Sequence, residues 1–238
     1  MKQLRAERAK GSFFRNVFLR FAVAAGVLLG LAAVPVARAQ QEFPPPQGKG
    51  RVVVLASGMS GPARYTIVAR EIAELGYDVV LYDGGQILGV RGDGARANIL
   101  EAQRMPHALP GKVALVGFSL GGGMYLYFAT QWPDLVSGAV LWYPGNSFIH
   151  DPPAFASRLK VPVLLFAAAK DHYRNGCCSA DLDGALAKAS AAAGKPFSLI
   201  VYPDADHDFV KGGDNYNPKD YSDAFRRMAD ALKAYLGN

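Results

Sequence analysis

The sequence predicts an α/β domain: a mostly parallel sheet of about six to eight strands, with helices on both faces and no large cap. Three observations carry this. Apolar runs rich in β-branched residues recur from residue 51 onward. Helix-length stretches separate them, the alternation that builds parallel sheets. Most of the runs are continuously apolar rather than alternating, as strands covered on both faces must be.

In chain order, the first element is a leader. Residues 1–39 carry Lys2, Arg5, Arg8, Lys10, Arg15, Arg20 and Arg38 against Glu7 alone. An apolar run, FAVAAGVLLGLAAVPVA, follows the basic stretch and ends in Ala37-Arg38-Ala39-Gln40. A basic segment, an apolar run and a small-x-small site together read as a bacterial signal peptide cut after Ala39, so the domain is expected to be periplasmic or secreted. The rival is an uncleaved membrane anchor, against which the run is short and Pro35 sits near its end. Residues 40–50, with three consecutive prolines, read as a linker or entry arm, and the domain proper as residues 51–238.

Strands are predicted at RVVVLA, DVVLYD, KVALVGF, SGAVLWY, VPVLLFAAA and FSLIVYP, starting near residues 51, 78, 112, 137, 161 and 197. ARYTIVAREIAELG places Ile67, Ala69 or Arg70, Ile72 and Leu75 at helical spacing. A second helix is expected around Asp93 to Arg104, and SADLDGALAKASAAAG is a helix closed by Gly194. The last helix, DYSDAFRRMADALKAYLG, puts Phe225, Met228, Leu232 and Leu236 on one side. There is no internal repeat.

The chain has 238 residues and a formal charge of +6. The leader accounts for all of that charge, so the remaining domain is formally neutral and carries no electrostatic footprint for nucleic acid. The two cysteines, Cys177 and Cys178, are adjacent. A vicinal disulfide is the one intramolecular bond open to them, and a pair of small buried residues is the slightly favoured reading. No spacing suggests a metal site, and no metal or organic cofactor is implied.

In parallel sheets, ligand sites gather beyond the carboxyl ends of the strands. Ser119 follows the third strand within Gly117-Phe118-Ser119-Leu120-Gly121, a Gly-x-Ser-x-Gly turn between strand and helix. The motif alone is weak in a chain with 26 glycines. Its setting strengthens it, because the partners of a serine nucleophile follow. A hydroxyl needs a base to take its proton, and His207 lies after the last strand. An acid must orient that imidazole, and Asp171 follows the penultimate strand. The order Ser119, Asp171, His207 is that of one large hydrolase fold. The bland readings are a structural serine, a helix-capping or loop aspartate, and an acidic surface loop at Asp204, Asp206 and Asp208, which also compete as the acid. The oxyanion of a tetrahedral intermediate is assigned to the backbone N–H groups of Leu120 and Met59. Gly58, Tyr143 and His150 are expected at the substrate. His107 reads as a loop residue. Phe148 and Phe155 read as pocket lining or core.

These residues resemble an α/β-hydrolase, more narrowly the dienelactone hydrolase family. The likeness rests on VALVGFSLGGGMYLYFA, on LLFAAAKDHYRN, and on the ending Tyr202-Pro203, Ala205, His207, Phe209, then Tyr216-Asn217-Pro218 and an amphipathic helix. The resemblance implies an α/β-hydrolase fold, with Ser119 as nucleophile, Asp171 as acid and His207 as base. Serine stands where the family's namesake enzymes carry cysteine. Ser57-Gly58 stands where they carry a histidine-glutamate pair.

The function expected is that of a serine hydrolase cleaving a small-molecule ester or lactone through an acyl-enzyme. The alternatives are a peptidase or acyltransferase on the same three residues, and a catalytically silent binding protein on this fold.

Overall fold

The computed structural model describes residues 40–87 and 92–237. The predicted leader lies outside the described residues. Seven strands form one sheet: β1 (Gln40–Phe43), β2 (Val52–Ala56), β3 (Asp78–Tyr82), β4 (Val113–Phe118), β5 (Val136–Trp142), β6 (Val163–Ala168) and β7 (Phe197–Tyr202). Their spatial order is β1-β3-β2-β4-β5-β6-β7. Only β1 runs antiparallel to its neighbour, pairing Gln40 with Tyr82 and Phe43 with Val79. Part of the expected linker is therefore an edge strand, because Gln40–Phe43 finds open hydrogen-bonding groups on β3 before the prolines begin. Pro44 to Pro46 cannot continue the ladder.

The unbroken apolar runs are explained by two cores. On β2, Val53 and Leu55 face one core while Val52, Val54 and Ala56 face the other. The first core is covered by α1 (Thr66–Ala73) and α6 (Pro218–Leu236). The second is covered by α2 (Asp93–Ala102), α3 (Ser119–Tyr127), α4 (Pro152–Ser157) and α5 (Ala180–Ala192). Each fully buried Val or Leu in these strands contributes about 1.5–3 kcal/mol relative to exposure.

The helices follow their sequence signals closely. Asn217 caps α6 by accepting from the Asp220 N–H, and Ser179 caps α5 by accepting from the Leu182 N–H. Gly194, at φ 63°, ends α5 as a left-handed cap. On α6, Met228 and Leu232 are buried, together with Tyr221 and Ala224; Phe225 and Leu236 pack at the margin. On α1 the buried face is rotated from the expected one. Val68, Ala69, Ile72 and Ala73 are buried, whereas Ile67 and Leu75 are exposed. An Ile67 or Leu75 stripe and a Val68–Ala73 stripe both fit the helical period. The side that meets β2 and β3 is set by the turn that enters the helix at Pro62–Tyr65. No helix among the described residues is long and apolar enough to cross a membrane.

Candidate active site

The parallel strands all point their carboxyl ends to one rim, and the polar loops collect there. β4 runs straight into α3 at Ser119, which takes φ 47°, a left-handed conformation rare outside glycine. The sharp turn needs its flanking glycines for close approach. A Cβ on Gly117 would lie 2.6 Å from the Gly122 Cα, and one on Gly121 would lie 2.5 Å from the Ser57 carbonyl oxygen. The turn raises the Ser119 hydroxyl over the rim, while Gly145 N–H bonds the Ser119 carbonyl at 2.9 Å.

Ser119 Oγ lies 3.0 Å from His207 Nε2, and His207 Nδ1 lies 2.7 Å from Asp171 Oδ2. All three residues are buried. A carboxylate only accepts, so Nδ1 is the donor to Asp171, and the neutral imidazole then offers its Nε2 lone pair to the serine hydroxyl. The second oxygen of Asp171 accepts from the Tyr173 N–H at 3.0 Å, which holds the carboxylate in place. The other aspartates are engaged elsewhere. Asp204 pairs with Lys170, Asp206 accepts from the His207 N–H, and Asp208 pairs with Arg64 at 2.6 Å. This arrangement can move a proton from a hydroxyl to an imidazole while a buried carboxylate balances the charge that forms.

Aromatic rings hold the imidazole. Tyr173 stacks on His207 with ring centroids 4.3 Å apart and planes 5° apart, and Tyr143 meets it edge-on at 4.9 Å. Tyr143 is buried and its hydroxyl donates to Asp208 at 3.2 Å. Burial pushes its phenol well above the usual tyrosine range, so it stays a neutral donor. Tyr143 was expected at the substrate. It is instead a wall behind His207, because its own φ of 36° turns the side chain into the core. His150 is a second correction: it is exposed and lines neither cleft at Ser119, since α4 starts just after it and carries the chain away. Gly58 does lie against the serine: a Cβ there would sit 3.2 Å from the Ser119 Cβ and 2.6 Å from the Tyr65 hydroxyl.

The Leu120 and Met59 N–H groups form no bond within the protein among the described residues, and both residues border Ser119. Leu120 stands in the first turn of α3, where the helix dipole favours negative charge. The loop carrying Met59 is pinned by Ser57, whose Oγ accepts from Gly84 N–H and donates to the Gly58 carbonyl, each at 3.0 Å.

Two clefts meet at Ser119. The apolar one, about 230 Å³, is lined by Met59, Leu120, Met124, Phe148, Tyr173 and Cys177 among others. The polar one is lined by Ser60, Arg64, His207, Asp208, Asp214 and Asn215. Arg64 is held in its charged form by Asp214 and Asp208, at 2.8 and 2.6 Å. Phe148 thus lines the cleft, whereas Phe155 is core. Cys177 and Cys178 are joined as a vicinal disulfide, not a pair of free buried residues. Sequence reasoning missed Tyr173, Arg64 and Met124. Tyr173 and Met124 stand near flagged residues, but no spacing rule says which neighbour turns toward the site.

The comparisons with known proteins agree with this architecture. The model of the dienelactone hydrolase family matches residues 89–236. The chain belongs to the dienelactone hydrolase family. Among curated relatives, a protein of Aquifex aeolicus provisionally named carboxymethylenebutenolidase is 28% identical over 145 residues, 59% of either chain. The chain thus spans little more than half the length of the curated relatives it matches. A provisionally named dienelactone hydrolase from Klebsiella pneumoniae superposes with TM-score 0.66 at 21% identity, covering 82% of this chain and 91% of that one. A dienelactone hydrolase-like promiscuous phosphotriesterase from metagenomic libraries superposes with TM-score 0.65 at 19% identity, covering 80% and 89%. At these identities the solved structures speak for the fold, an α/β-hydrolase sheet with helices on both faces.

Proposed function

We propose that this dienelactone hydrolase family member is an exported serine hydrolase that cleaves an ester or lactone through an acyl-enzyme. The observation that carries the reading is the unbroken hydrogen-bond chain from Ser119 through His207 to Asp171, at 3.0 and 2.7 Å. Export rests on the composition of residues 1–39.

In this reading Ser119 Oγ attacks the acyl carbon while His207 Nε2 takes its proton. The oxyanion that forms is met by the Leu120 and Met59 N–H groups, a kind of contact worth about 10²–10³ in rate per donor. His207 then returns the proton to the leaving oxygen. The leaving group must therefore lie on the His207 side, in the polar cleft beside Arg64 and Asn215. The acyl group is left to the apolar cleft floored by Leu120, Met124 and Phe148. Water activated by His207 releases the acid. The substrate this favours has a compact apolar acyl part and a polar alcohol part.

The test is covalent labelling. Protein treated with a fluorophosphonate probe is expected to carry one label at Ser119, and to hydrolyse short-chain p-nitrophenyl esters. Labelling that persists in Ser119→Ala refutes the nucleophile. A folded protein that neither labels nor turns over esters favours a silent binding protein.

A further inference from the structure

At the other end of the strands from Ser119, on the β1 side of the sheet, three potential ligands come together. Glu42 on β1, Asp78 at the first position of β3, and His107 in the loop after α2 place their carboxylate oxygens and ring nitrogen within 4.8 Å of one another. β3 is five residues long, so this cluster lies about 16 Å along the strand from the catalytic rim. His107 Nδ1 is 2.9 Å from Glu42 Oε1.

Asp78 is the telling member. It is completely buried, and neither carboxylate oxygen has a hydrogen-bond donor. No lysine or arginine pairs with it among the described residues. Its charged neighbours are Glu42, a second acid, and His107. A buried carboxylate without donors costs several kcal/mol unless something positive reaches it. Two things could: a proton shared with Glu42, or a cation.

We propose that Glu42, Asp78 and His107 form a binding site for a divalent transition-metal ion of the zinc type, which clamps the edge strand β1 to the body of the domain. Two carboxylate oxygens and one imidazole nitrogen suit a borderline ion; a hard ion such as Mg²⁺ favours oxygen and water alone. Bonds of about 2.0–2.1 Å in a tetrahedron set neighbouring donors about 3.3 Å apart, close to the spacing of His107 and Glu42. The fourth position is left to water, and the His107 side, 43% exposed, is the way in. The surroundings are rigid where a metal site needs them to be. Asp78 N–H bonds the Arg51 carbonyl at 3.0 Å. The His107 loop is tied to Gly50 from both sides, through Gly50 N–H to the His107 carbonyl and Leu109 N–H to the Gly50 carbonyl. β1, like β7 at the other edge, is held by a single neighbour, so bridging Glu42 to Asp78 would secure the one strand that runs against the others.

The experiment uses protein purified after expression of the full chain, stripped with a chelator and titrated with ZnCl₂ or MgCl₂. Metal content, calorimetry and thermal melting are read together. One zinc per chain is expected, with Tm raised by about 5–10 °C at a hundredfold excess over Kd, and no comparable rise with magnesium. Asp78→Asn and His107→Ala should each weaken zinc binding by about 100-fold or more. Asp78→Asn removes a buried charge while keeping the shape, so the metal-free variant should melt no lower than the wild type. His207→Ala should keep its zinc. Failure to bind zinc means that Asp78 and Glu42 share a proton, and overturns the proposal. So does zinc that survives Asp78→Asn, or zinc lost with His207→Ala, which would place the ion at the catalytic rim.

Discussion

Replacing Asp171 by asparagine keeps the size of the side chain and removes its charge. The structure sets the consequence. Asp171 Oδ2 is 2.7 Å from His207 Nδ1, and its side chain is almost wholly shielded from water. In the proposed mechanism the imidazolium forms as His207 takes the serine proton, so the attraction acts on the transition state more than on bound substrate. With charge centres about 4 Å apart and an effective dielectric constant of about 20, the interaction is about 4 kcal/mol. That corresponds to about a 10³-fold loss in kcat. An amide NH₂ turned toward Nδ1 would also favour the wrong tautomer, which carries the loss toward about 10⁴-fold. KM should change little. The assay is steady-state hydrolysis of a short p-nitrophenyl ester, with a thermal melt showing that the variant is folded. A folded Asp171→Asn retaining more than a tenth of wild-type kcat would refute the assignment and direct attention to Asp204, Asp206 and Asp208.

Two further outcomes follow from packing and burial. Gly121→Ala drives a methyl group to 2.5 Å from the Ser57 carbonyl and 2.6 Å from the Ala56 Cβ, both on or beside β2. Since α3 must then shift off the sheet, a loss of about 1–3 kcal/mol in chemical denaturation and a large drop in esterase activity are expected; an unchanged variant would mean that the elbow has slack. Asp183 is buried with Oδ2 unpartnered, and burial, only partly offset by the hydrogen bond from Asn146, raises its carboxyl to about 7. The native state then holds a proton that the unfolded state releases, so stability present below about pH 4 is lost as pH rises through about 7. Asp183→Asn should flatten that decline, by at most about 4 kcal/mol, in denaturation curves taken from pH 4 to 8. Parallel curves for variant and wild type would show that Asp183 is ionised throughout.

The alternation of apolar runs and helix-length stretches was enough to name the layers, and six of the seven strands begin within a residue or two of where the runs begin. That works because burial on both faces leaves a one-dimensional record: a strand with Val53 and Leu55 on one side and Val52 and Val54 on the other has no polar positions to offer. Ser119, Asp171 and His207 could be singled out for a related reason. Each follows a strand of a parallel sheet, and parallel strands deliver their ends to the same rim whatever the loops do.

What the chain does not record is how loops turn once they reach that rim. Tyr173 and His172 stand side by side in sequence, yet Tyr173 lies flat against His207 and His172 does not. Tyr143 and His150 follow the same strand, and one is sealed behind the imidazole while the other is in solvent. Gln40–Phe43 reads as linker because nothing local marks a four-residue strand before three prolines; it becomes one because β3 has an unpaired edge. The joining of Glu42, Asp78 and His107 is of the same kind, with its outer members 65 positions apart in the sequence. Sequence by itself determined the faces that must be buried and the strand ends where chemistry collects, since both are local consequences of periodicity and topology. Tertiary structure alone decided which side chains meet there, since that depends on sheet register, on the turn entering each helix, and on edges left open for a distant segment to fill.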